Sequence, residues 1–244
     1  MKMASLTALT GHRQTFGLAR SSWLEQLTSL KLRFAILLAA ILSWMLLLPV
    51  IHGYFLGENL RHLLAVITII FAITVTVNTP VAVYLTLGCA LVSLVLNSQK
   101  SPTVHAASIA LDIVLLAFAS YRVLRCVFSD SVVTSETLRA AVCLYLLLGV
   151  TFASAYFLGS LFVPDAVLEN NVPAKQMSDM IYLSFSTLTN LGYGDIRPNV
   201  SALRSIAMLE GISGQLFLTL LIARLVGIHA TQVGNNGVRS SSVN

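Results

Sequence analysis

The stretch that decides the reading is Thr187-Leu188-Thr189-Asn190-Leu191-Gly192-Tyr193-Gly194-Asp195. Gly192 and Gly194 admit backbone angles that other residues resist, so successive carbonyls here can turn to one side. Immediately before it, Met177 to Thr189 is apolar and only about 13 residues long, too short to cross a ~30 Å hydrocarbon layer. It reads as a re-entrant half-helix, with Ser178 or Asp179 capping its start. Irregular backbone at membrane depth is tolerated only where protein or water surrounds it.

The rest of the chain supplies the membrane. Of 244 residues, 56% are hydrophobic and 10% charged, and the mean hydropathy is +0.82. A soluble domain carries about a quarter charged residues. The composition therefore means an integral membrane protein, and it excludes a disordered chain, a disulfide scaffold and a soluble enzyme with an appended anchor. Net charge is +5, but the basic residues form no amphipathic cluster, so they are read as topology signals and not as a nucleic-acid surface. Cys89, Cys126 and Cys143 lie in apolar stretches and imply no disulfide framework. The histidines are scattered, and no nucleophile–base pair or phosphate loop is visible.

With about 20 apolar residues per crossing, six spans emerge. They are Phe34 to Ile51, His62 to Val77, the run after Pro80 to Leu96, Ala106 to Phe128, Leu138 to Phe162, and Ala202 to Ile228. Asn78-Thr79-Pro80 separates the second from the third, because Pro80 lacks an amide proton. Residues 1–33 form a polar lead in which Ser22 and Glu25 fit a capping box. Trp23, Leu24, Leu27 and Leu30 then give either a surface amphipathic helix or an extension of the first span. The tail 229–244 is rich in Gly, Ser and Asn and reads as disordered. With the N-terminus inside, ten basic residues fall on the inner side and five (Arg61, Lys100, Lys175, Arg197, Arg204) on the outer. That bias sets both termini in the cytoplasm and the half-helix on the outer face.

A strand of stacked carbonyls at membrane depth can replace the water shell of a cation, and the half-helix turns the negative end of its dipole inward. One chain supplies one wall of such a ring, so four copies must meet around an axis. The segment resembles the selectivity filter of potassium channels, whose pattern is Thr-Val-Gly-Tyr-Gly-Asp behind a pore helix. The resemblance covers residues 138–228. It implies a homotetrameric potassium channel in which Asn190, Leu191, Gly192 and Tyr193 line K+ sites with their carbonyls. Gly194 continues the strand, and Asp195 stands at the outer mouth. Thr189 ends the pore helix, and the Tyr193 ring packs outward, where Tyr182 supplies the supporting aromatic. Asn190 departs from the usual threonine, whose hydroxyl forms the innermost ion site.

Other residues complete the reading. Gly214 matches the hinge glycine of bacterial inner helices, or serves close helix packing, and Gln215 then faces the cavity. Two acids lie within apolar spans, Asp112 and Glu210. An intramembrane acid is a functional candidate by default. Glu210 lies at pore-helix level and is expected to be hydrogen-bonded behind the filter, in protonated or charged form, and to brace it, or else to reach the interface. Asp112 reaches water or pairs with another span. The fourth span has only Arg122 and Arg125, both near its inner end, too few for a voltage sensor.

The expectation is an all-α integral membrane protein, six spans with one re-entrant pore helix. Residues 1–33 form a cytoplasmic segment, 34–128 a four-span region, 138–228 the pore domain and 229–244 a tail. Its function is passive K+ conduction without enzymatic chemistry or cofactor, with weak voltage dependence, in a bacterial inner membrane. Competing readings are a cation channel of relaxed selectivity owing to Asn190, a proton-coupled transporter using Asp112 and Glu210, and a non-conducting membrane subunit.

Overall fold

The computed structural model describes residues 30–51, 80–97, 101–129 and 134–241. The expected surface helix, with its Ser22–Glu25 box, and the expected second span at residues 62–77 lie outside the described residues.

Six helices are described: α1 (Leu30–Ile51), α2 (Pro80–Asn97), α3 (Pro102–Ser129), α4 (Ser135–Phe162), α5 (Met177–Leu188) and α6 (Ser201–Ser241). Pro80 and Pro102 open α2 and α3 at the position where a missing N–H costs nothing. A capping box opens α4. Thr137 N–H donates to Thr134 Oγ1 at 3.3 Å, and Thr134 N–H donates to Thr137 Oγ1 at 3.4 Å. Among the described residues, three helices are long and apolar enough to cross a membrane: Pro102–Ser129, Ser135–Phe162 and Ser201–Gly227. Helix α6 runs on to Ser241, through residues whose composition points to a disordered tail. Elongating an existing helix fixes one residue per added bond, so geometry persists into sequence that could not nucleate it.

Helix α4 is the hub. It packs against α1, α3, α5 and α6. Around it lie Leu37 and Ile41 of α1, Ala119 and Val123 of α3, and Met180 of α5, all fully buried. The three cysteines are free, and Cys143 Sγ approaches Phe34 O at 3.4 Å.

A small antiparallel sheet interrupts the all-helical expectation. Its strands are β1 (Val167–Glu169), β2 (Val172–Pro173) and β3 (Ile196–Pro198), in the order β2-β1-β3. Glu169 pairs with Val172, leaving the two-residue turn Asn170-Asn171 with φ of 49° and 71°. Two successive left-handed residues are what a tight hairpin turn requires, and asparagine tolerates them. The sheet joins the segment after α4 to the segment before α6, and so frames the region between them.

Candidate functional site

Helix α5 begins at Met177 with Gln176 as its cap residue, not Ser178 or Asp179. Asp179 acts from the third position instead: its Oδ2 accepts from Gln176 N–H at 3.2 Å. Its carboxylate also complements the positive end of the helix. Met180, Ile181, Leu183, Ser184 and Leu188 are buried, so one face of α5 is seated in the fold.

The other end of α5 is built with more care. Thr189 is the C-cap, and its N–H donates to Phe185 O at 3.1 Å. Asn190 follows with φ 57°, and its N–H donates to Thr187 O at 3.0 Å. That is a helix stopped by a left-handed residue, a place for Gly or Asn. Threonine, β-branched, fits it poorly. The Asn190 departure thus has a conformational reason in this chain. The Leu188 carbonyl, left without an intrahelical partner, accepts from Tyr145 Oη of α4 at 3.0 Å. Gly214 of α6 passes the same carbonyl so closely that an added Cβ would lie 2.3 Å from Leu188 O. Of the two readings of Gly214, the geometry carries close packing.

From Asn190 onward positive φ recurs at every second residue: Asn190 (57°), Gly192 (55°) and Gly194 (80°), but not Leu191 or Tyr193. The Gly192 N–H donates back to Ser186 O at 3.1 Å, tying the strand to α5. Residues 189–195 are all exposed in the single chain, with Leu191 at 62% and Tyr193 at 68%.

Tyr193 lies over Tyr182, with ring centroids 6.2 Å apart and planes 13° from parallel. Tyr182 Oη donates to Asp195 Oδ1 at 3.2 Å. Asp195 O accepts from Asn170 N–H at 3.0 Å, so the hairpin holds the outer end of the strand. One loop is therefore fastened at its helix end, along its length and at its mouth.

Glu210 of α6 is fully buried, which removes the interface alternative. Its Oε2 accepts from Tyr156 Oη of α4 at 2.6 Å, and its Oε1 is hydrogen-bonded to Ser184 Oγ of α5. Ser184 Oγ also donates to Gly149 O of α4 at 2.7 Å. Gln215 is exposed and lines an open groove with Thr187, Asn190, Gly211 and Ile212. Asp112 belongs to a separate cluster. It is buried, and Ser93 Oγ of α2 donates to its Oδ1 at 2.5 Å, so it pairs with another helix rather than reaching water. At the far end of α3, the Arg125 guanidinium lies 5.8 Å from the Tyr121 ring centroid. Arg224 of α6 lies over Phe128 and donates to Val127 O.

Sequence reading missed Tyr145, Tyr156 and Ser184. Each is a hydroxyl inside an apolar helix, and each answers a polar group on another helix. A buried acid signals that such partners exist. Which hydroxyls they are depends on a helix register that the sequence does not contain.

A short helix with a fastened C-terminus and the strand that follows it lie between two long apolar helices. Residues 154–228, from within α4 to within α6, match the family model described as ion channel, so this stretch is similar to ion channels. No curated protein and no solved structure matches the chain significantly.

Proposed function

We propose that the protein is a homotetrameric potassium-selective channel that conducts K+ passively. Residues 138–228 form its pore domain, α5 is the re-entrant pore helix, and Asn190 to Asp195 form the selectivity filter. The observation that carries this is the recurrence of positive φ at Asn190, Gly192 and Gly194, with Tyr193 stacked on Tyr182. Such a strand offers a column of carbonyl oxygens to a cation that has shed its water.

One chain gives one wall. Support for assembly lies in the exposed filter and in α6, whose Met208, Leu209, Ile212, Leu216 and Leu220 are exposed in the single chain. An apolar stripe of that kind faces lipid or another subunit. Four copies around the filter bring Gln215 and the groove beside Asn190 to the inner cavity. Tyr182, Thr189 and Glu210 then support the filter from behind. Six spans per chain, cytoplasmic termini and a bacterial inner membrane complete the proposal. Arg122 and Arg125 serve as anchors at the inner end of α3, and voltage dependence is weak.

Asn190 favours a second reading, a cation channel of relaxed selectivity. Its side-chain Oδ1 is turned toward α6, 3.5 Å from where a Cβ on Gly211 would sit. The innermost ring then lacks the hydroxyl of the family pattern. The transporter reading finds no such support, since Asp112 and Glu210 sit in separate hydrogen-bonded clusters. Purified protein in liposomes under opposed K+ and Na+ gradients tests the proposal. It predicts pore-like turnover and a reversal potential near the K+ equilibrium value. A potential midway between the two ions favours relaxed selectivity, and carrier-like turnover refutes a pore.

A further inference from the structure

Ser184 has one hydroxyl hydrogen, and two oxygens claim it. Ser184 Oγ lies 2.7 Å from Gly149 O and is also hydrogen-bonded to Glu210 Oε1. A backbone carbonyl has no hydrogen to give, so Ser184 must donate to Gly149. For each contact to have its own hydrogen, the one between Ser184 and Glu210 comes from Glu210. The other carboxyl oxygen already accepts from Tyr156 Oη at 2.6 Å. With one added proton the chain closes: Tyr156 donates to Glu210 Oε2, Glu210 Oε1 donates to Ser184, and Ser184 donates to Gly149 O. Every polar atom in it is then satisfied. Without that proton, either Gly149 O loses its side-chain donor or Glu210 Oε1 faces a lone pair.

The surroundings point the same way. Glu210 has 0% exposure, and its partners are the two hydroxyls. An unpaired carboxylate at membrane depth is costly, whereas a neutral acid is both donor and acceptor. The titratable groups facing it from α4 are Tyr156 and Tyr145, and α5 presents Ser184. The basic residue of α6 nearest to it in sequence toward the outer end, Arg204, is exposed and donates to Pro198 O.

We infer that Glu210 is a proton-binding site: a neutral carboxylic acid whose hydrogen joins α6 to the pore helix α5 and, through Ser184, to α4. Losing that proton unfastens α5 from one of its two neighbours. The effect on conduction rests on the channel reading above; the proton itself does not.

Infrared spectra of the full-length protein in lipid, wild type minus Glu210→Gln at neutral pH, test the site directly. The expected result is a protonated-carboxyl C=O band present in the wild type and lost in the variant. A carboxylate band in its place overturns the inference. Should Glu210→Gln fail to assemble, Glu210→Asp provides the second subtraction. K+ flux then reads the consequence. Wild-type flux falls about tenfold as pH rises through the conversion of the band, while Glu210→Gln, whose amide keeps one donor and one acceptor, varies within about twofold. Identical pH profiles for the two overturn the coupling. If neither protein conducts, the channel reading fails, and the infrared band still decides the proton.

Discussion

Helices α1 to α3 and the trio α4, α5 and α6 are written in the same apolar alphabet, yet they are held differently. Around α1 and α3, buried apolar side chains such as Phe34, Leu37, Ile41, Ala119 and Val123 dominate. The side-chain hydrogen bonds reaching these helices include Ser93 to Asp112, the long Cys143 to Phe34 O, and Arg224 to Val127 O. In the trio, Tyr145, Tyr156, Ser184 and Glu210 bind across three helices, and Gly214 lets backbones nearly touch. Between helices in lipid there is little hydrophobic force, so apolar contacts leave register loose, while hydrogen bonds and small-residue contacts fix it. The fixed part is the one that carries residues 189–195, the proposed filter.

The contrast can be broken most severely at glycine. Gly214→Ala puts a methyl against the Leu188 carbonyl, whose backbone cannot yield. We expect flux to disappear and stability to fall by roughly 1–3 kcal/mol, read by flux assay and thermal unfolding. Gly88→Ala in α2, where nothing lies within 4 Å, serves as the comparison. There the same change removes a glycine from a helix and raises stability by up to about 1 kcal/mol. Equal effects at both sites would erase the distinction between the regions.

Next comes Tyr156→Phe, which leaves Glu210 Oε2 buried without a donor. A loss of about 1–3 kcal/mol is expected, with flux reduced in parallel. Asn190→Thr sharpens the comparison from within the filter. The left-handed site disfavours a β-branched residue by about 1 kcal/mol. Restoring the family residue is therefore expected to lower thermal stability, and a gain would mean that the strand relaxes to another backbone. The smallest effect on flux belongs to the front helices. Ser93→Ala leaves buried Asp112 Oδ1 without its donor, a stability cost of about 1–3 kcal/mol, and should leave flux intact.

Much of this arrangement is legible in the sequence, for reasons that differ by element. Span positions follow from apolar run length, so α3, α4 and the apolar part of α6 fall within a few residues of expectation. The short helix α5 follows from the same ruler, being too short to cross. Gly192 and Gly194 announce their unusual backbone by residue type. The outer sheet was missed because Asn170-Asn171 is a weaker hairpin signal than Asn-Gly, and its strands have only two or three residues. From sequence Asn190 reads as a chemical substitution in an expected ion site; its role as the left-handed stop of α5 depends on the backbone. Tyr145, Tyr156 and Ser184 stayed hidden because what gives them meaning is a partner 26 to 54 residues away. Span-by-span reading has no access to that.

The central claim is that identical strands from four chains face one another and pass a dehydrated K+ ion. Single-channel recording of the purified protein in a planar bilayer, with K+ on one side and Na+ on the other, tests it most directly. Discrete openings are expected, with a current that reverses near the K+ equilibrium potential and vanishes in Gly214→Ala. A bilayer loaded with folded protein that stays silent, or that moves ions only at carrier rates, would contradict it.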